Sequence, residues 1–64
     1  MNELWKFTDT DYKVYVEHKS AADKIKKVAK TDISTIYYLK GKEVGWDLII
    51  DKKYLSKVKK IISN

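Results

Sequence analysis

The stretch Lys24-Ile25-Lys26-Lys27-Val28-Ala29-Lys30 returns 33 residues later as Lys57-Val58-Lys59-Lys60-Ile61-Ile62-Ser63. Each copy follows a run of β-branched and aromatic residues with strand-like alternation, so the chain reads as one strand–strand–helix unit used twice. Two amphipathic helices each carry an apolar stripe that must be buried, and the neighbouring strands are the surface available to bury it. The likeness is strong over the helices and loose over the strands, where alignment needs an insertion. A duplication would divide the chain at 4–30 and 35–63.

With 64 residues and no cysteine, the chain forms a single domain that neither disulfides nor thiolate-bound metal can hold together. Stability has to come from packing. Two Trp, five Tyr, one Phe and many Ile, Val and Leu supply the material, each large side chain contributing roughly 1.5–3 kcal/mol when fully buried. No apolar run approaches the ~20 residues that span a bilayer, and the opening Met1-Asn2-Glu3 has no basic region leading into an apolar one. The expectation is a soluble cytoplasmic domain.

The net charge is +5, and its distribution says more than its sum. Residues 1–23 carry three lysines against five acids, and residues 31–51 carry two against four. The whole positive excess therefore sits at 24–30 and 52–64, on the two helices. Every basic side chain but His18 is lysine; arginine is absent.

Along the chain, Leu4–Phe7 and Tyr12–Glu17 read as strands flanking the polar turn Thr8-Asp9-Thr10-Asp11. Ser20 with Asp23 three residues on has the pattern of a capping box, which predicts the first helix to start there. Thr35–Leu39 and Val44–Ile50 are the next strands, joined through a tight turn at Gly41, and Asp51 is placed to cap the second helix. The predicted fold class is α+β: ββαββα, a four-stranded antiparallel sheet with both helices packed on one face. Strand periodicity then puts Trp5 and Phe7, Val14 and Val16, and Trp46, Leu48 and Ile50 toward the helices. The uncovered face receives Lys13, Tyr15, Glu17, Asp47, Ile49 and one of Tyr37 and Tyr38.

Catalysis finds little support. His18 is the only histidine and continues the phase of Val14 and Val16, which predicts a half-buried residue at a strand end. Ser20 is accounted for as a cap. Asp9 and Asp11 lack the spacing and glycine of a calcium loop, and the two glycines, Gly41 and Gly45, cannot build a phosphate loop. Glu17 and Asp47 share a face, but a domain of this size has little room for a deep pocket. The reading is non-enzymatic, with no catalytic residue, no metal ligand and no cofactor.

Two kinds of binding remain. Lys26, Lys27, Lys30, Lys57, Lys59 and Lys60 could neutralise phosphates without sequence preference. Base-specific readout is disfavoured, because Arg and Gln are absent and Asn occurs only at Asn2 and Asn64. Alternatively the uncovered sheet face binds another protein, with Tyr15, Tyr37, Tyr38 and Ile49 as contacts. An exposed edge strand would also suit pairing with its own copy as a homodimer.

The phrases Leu4-Trp5-Lys6, Tyr12-Lys13-Val14-Tyr15-Val16-Glu17-His18, Ile36-Tyr37-Tyr38 and Gly45-Trp46-Asp47-Leu48-Ile49-Ile50 extend over most of the chain. In them it resembles small uncharacterised phage and mobile-element proteins of low-GC Gram-positive bacteria. The resemblance implies an accessory protein that works by binding host or phage macromolecules, and it assigns a role to no residue. A protein-binding adaptor or inhibitor is thus the expected function. Nonspecific nucleic-acid binding through the lysine faces is the alternative.

Overall fold

The first hairpin is organised by Thr8. Its hydroxyl oxygen accepts from the backbone N–H groups of Thr10 and Asp11 at 3.3 and 3.0 Å, and the hydroxyl donates to the Asp11 carboxylate at 3.2 Å. This self-contained turn folds Glu3–Lys6 (β1) back onto Asp11–Val16 (β2). In the computed structural model, which describes residues 2–63, there follow a helix Lys19–Val28 (α1), strands Ile33–Leu39 (β3) and Lys42–Asp51 (β4), a short 3-10 helix Lys52–Tyr54, and a final helix Leu55–Ile62 (α2).

The four strands form one antiparallel sheet in the order β1-β2-β4-β3. The second strand of each hairpin is therefore central, and the two meet with Val14 opposite Leu48. Val14, Val16, Trp46, Leu48 and Ile50 point to one side and form a single core with Ala22, Ile25 and Ala29 of the first helical segment and Val58 of the second. Both helices lie on that side and touch each other, which is the predicted ββαββα architecture. Ile25 and Val58, equivalent in the 33-residue repeat, are both fully buried. Among the described residues, the Trp46 indole N–H on the core side meets no hydrogen-bond partner.

The termini of α1 depart from the sequence expectation. The helix begins at Lys19, with His18 in extended conformation as the residue before it, and no side chain caps it. The His18 carbonyl accepts from the N–H groups of Ala21 and Ala22 at 3.1 and 3.2 Å. Ser20 lies inside the first turn and is not the cap. Asn2 braces the corner just before the helix. Its Oδ1 accepts from the Glu17 N–H at 3.2 Å and its Nδ2 donates to the Ile62 carbonyl at 3.4 Å, so the corner after β2 is tied to the end of α2. His18 sits on that corner and is exposed, not half-buried. At the other end, Thr31 N–H bonds the Lys26 carbonyl at 3.1 Å while Lys30 adopts φ 51°. This is a Schellman closure with lysine at the position glycine usually fills.

β3 and β4 each start two residues earlier than the apolar pattern suggests. The hairpin turns at Lys40 and Gly41, both with positive φ, the backbone that a two-residue turn between twisted strands requires. Asp51 is a cap, but of the 3-10 helix and not of α2 itself: its carboxylate accepts from Lys53 N–H at 2.9 Å, and α2 follows Tyr54 with no side-chain cap. Among the described residues, no helix is long and apolar enough to cross a membrane.

Candidate protein-binding face

Because both helices cover the same side, the reverse of the sheet is open. Its composition follows from register. One row across the sheet is Trp5, Lys13 and Ile49; the next is Glu3, Tyr15, Asp47 and Thr35; beyond it Tyr37 stands opposite Gly45. Trp5 and Phe7 do not point at the helices. Leu4 takes the inward position opposite Val14 and packs against the core, whereas Trp5 is 42% and Phe7 52% exposed. The reason is pairing. The Thr8 turn sets the β1–β2 register, and a one-residue change of phase exchanges every side chain between faces. The open face thereby gains two aromatic rings that the apolar pattern assigned to the core.

At the centre of this face lies a carboxylate. Asp47 is 2% exposed, buried although no helix covers it. The Tyr37 hydroxyl donates to its Oδ2 at 2.6 Å, and Lys13 Nζ stands 3.6 Å from the same oxygen. The other oxygen, Oδ1, is buried and meets no hydrogen-bond partner. Leaving a buried polar atom unpaired costs about 1–3 kcal/mol, so the core stabilises the fold against a local penalty at this point. The Asp47 carboxylate holds the Tyr37 hydroxyl above the ordinary tyrosine range, first through the hydrogen bond to the protonated form and then through burial and charge repulsion.

Aromatic side chains wall this centre. Tyr15 and Tyr37 meet edge to face with ring centroids 5.7 Å apart. The Tyr15 ring lies across Gly45 so closely that a Cβ there would stand about 2.5 Å from the ring. Glycine at 45 is what admits the ring. On the far side Lys13 Nζ lies 5.7 Å from the centre of the Phe7 ring, within the range of a cation–π contact. Lys13 thus spans Phe7 and Asp47 while only a quarter of its side chain is exposed.

Of the residues the sequence singled out, Tyr15, Tyr37 and Ile49 share the open face, with Tyr15 and Ile49 half-buried and Tyr37 43% exposed. Tyr38 is 62% exposed but lies past a register break, opposite Glu43 near the hairpin tip, away from the central rows. Trp5 and Phe7 are the additions, and Asp47, expected on this face, is buried within it. Gly45 opposite a tyrosine-rich strand was the available signal for a ring packed on backbone.

Charge divides the molecule between its two sides. By register the open face carries Glu3, Asp11, Asp47 and Asp51 against Lys13. On the helical side Lys26, Lys27 and Lys30 line one shallow depression with Asp23 and Asp32, where Lys26 pairs with Asp32 at 3.6 Å. Lys60 borders a different groove of about 300 Å³ with Asn2, His18, Ser20 and Lys24, and no hydrogen bond links the His18 and Ser20 side chains. Lys57 and Lys59 are exposed on α2. The six lysines therefore occupy one side without converging on a single cleft. No protein-family model, curated protein or solved structure matches the chain.

Proposed function

We propose that this chain is a non-catalytic protein-binding module, an adaptor or inhibitor, whose contact surface is the open sheet face. The observation that carries the reading is the collection of Trp5, Phe7, Tyr15, Tyr37 and Ile49 around the buried Asp47 on a side no helix covers. Aromatic residues of this kind, partly exposed and held by neighbours, lose little conformational freedom on binding and are the usual energetic anchors of protein interfaces. The carboxylates of the face favour a partner whose own surface is apolar and basic. Phage or mobile-element origin and a role against a host macromolecule fit such a module.

The second reading, nonspecific nucleic-acid binding through Lys26, Lys27, Lys30, Lys57, Lys59 and Lys60, is favoured by their common side and exposure. One pair of experiments separates the two. A photo-crosslinking residue at Tyr38, beside the face, identifies the partner, and binding is then measured with that partner purified. The first reading expects the folded double variant Tyr15→Ala, Ile49→Ala to bind at least tenfold more weakly, as loss of one anchor worth about 1.4 kcal/mol would give. Equal affinity of variant and wild type removes the open face as the site. Oligonucleotide titration at two salt concentrations tests the second reading, which needs binding that falls steeply with salt.

A further inference from the structure

We propose that the chain forms a two-fold dimer in which β3 pairs antiparallel with β3 of a second copy, joining two four-stranded sheets into one of eight strands. The sheet order leaves β1 and β3 as its edges, and the two are built differently. β1 has four residues, two of them the charged Glu3 and Lys6, and Lys6 pairs with Asp9 in the adjoining turn at 3.7 Å. Short length and charge are how sheet edges are kept from pairing. β3 has seven residues, Ile33-Ser34-Thr35-Ile36-Tyr37-Tyr38-Leu39, with no charge and no proline. Ile36, Tyr37, Tyr38 and Leu39 are 37–63% exposed. A strand of this composition with unpaired outer N–H and C=O groups is a template for another strand.

The flanking charges select the occupant and its direction. Asp32 precedes β3 with its side chain 90% exposed, and Lys40 and Lys42 follow β3 at the hairpin tip. The pair of Asp32 with the half-exposed Lys26 at 3.6 Å is a surface contact of little energy, which leaves the carboxylate open to a second cation. Antiparallel pairing centred on Ile36-Tyr37 brings Asp32 of each copy to the tip of the other, where Lys40 and Lys42 stand. Parallel pairing would set like charges together at both ends. The irregular step between Ile33 and Thr35 adds Ser34 to β3, whereas the step between Tyr37 and Tyr38 adds Val44 to β4, so β3 itself runs without an extra residue from Thr35 to Leu39, the stretch left for pairing. Since the edges left over are the two copies of β1, assembly stops at two. The pairing lies at the edge, so it leaves the open face uncovered and does not depend on what that face binds.

Sedimentation velocity of the full chain over a concentration series gives the first readout, with a monomer–dimer equilibrium expected. Asp32→Lys alone, and Lys40→Asp with Lys42→Asp, should each weaken the dimer about tenfold at low salt, because symmetry counts every opposed charge pair twice. Mixed in equal amounts, the two variants should recover a heterodimer. Amide deuterium exchange should show protection over residues 33–39 that rises with concentration. A chain that stays monomeric at millimolar concentration, charge variants that do not complement each other, assembly past two, or protection confined to other strands would each overturn the proposal. Circular dichroism of the variants confirms that they remain folded.

Discussion

The Tyr37 hydroxyl donates a 2.6 Å hydrogen bond to Asp47, two residues whose side chains meet on the uncovered side of the sheet although no helix shields them. The bond holds Tyr37 in its protonated form and raises its pKa above the ordinary value near 10. The folded state binds that proton more tightly than the unfolded chain. Its contribution to stability is whole below the unfolded tyrosine pKa and is lost as pH rises through the higher folded one. Ultraviolet titration of tyrosinate should show one of the five tyrosines ionising last, and Asp47→Asn should bring that titration back toward the others. An unaltered profile in the variant would assign the shift to another cause.

Gly45 and Tyr15 form a second coupled pair. In Gly45→Ala the new Cβ would lie about 2.5 Å from the Tyr15 ring, and the ring must swing away from Tyr37. Overpacking costs roughly 1–3 kcal/mol; the lower end is expected because the contact is with the end of a side chain. In a Tyr15→Ala background the same substitution should cost nothing. A double-mutant cycle by urea denaturation measures the difference, and a coupling energy near zero would contradict the close approach.

Two lysines hold backbone conformations that suit other residues. Lys30 closes α1 at φ 51° and Lys40 turns the second hairpin at φ 52°. A side chain in the left-handed region costs about 1–2 kcal/mol, which glycine avoids and asparagine partly escapes. Lys30→Gly should raise stability by about 1 kcal/mol and Lys40→Asn by somewhat less. Conversely, Gly41→Ala should lower it by about 1–2 kcal/mol for conformational reasons alone, since its Cβ would meet nothing within 4 Å. Denaturant midpoints test all three.

The repeat positions Ile25 and Val58 predict a matched response. Both are fully buried, one from each helix, in the same core. Truncation of a core isoleucine to alanine costs about 2–5 kcal/mol, against a total of roughly 3–10 kcal/mol for a domain of this length. Ile25→Ala should therefore leave the protein near its unfolding threshold, with Val58→Ala milder because less volume is removed. Lys27→Ala, on the exposed side of α1, should change stability by no more than about 0.5 kcal/mol. Comparable losses at Ile25 and Lys27 would mean that α1 does not seat as described.

How much of this was legible beforehand differs from element to element. The apolar stripes of both helices, the strands read at Tyr12–Glu17 and Val44–Ile50 to within two residues at each end, the turn at Gly41 and a capping role for Asp51 could be read from residue order, because each depends on neighbours within a few positions. Local chemistry also forced both helices to present an apolar side, and the structure buries both against the same one of the sheet's two faces. The phase of β1 was of another kind. Trp5 and Phe7 each have more apolar surface to bury than Leu4, yet pairing with β2 through the Thr8 turn carries them outward. The corner before α1 is likewise held at long range, by Asn2, which bonds to Glu17 and Ile62 from 15 and 60 residues away.

The same division runs through the candidate site. The choice between Tyr37 and Tyr38 was left to the β3–β4 register, but Tyr15 and Ile49 could be placed on the open face from alternation alone, since period two is a property of the strand itself. That Asp47 would be buried among them could not, because its burial is made by Tyr37 and Lys13 from two other strands, and those strands become neighbours only when the sheet assembles. Residue order determined which elements form and which side of each is apolar. Only the tertiary structure decided which strand neighbours which, and with it the register that sets Trp5, Phe7 and Asp47 on a common surface.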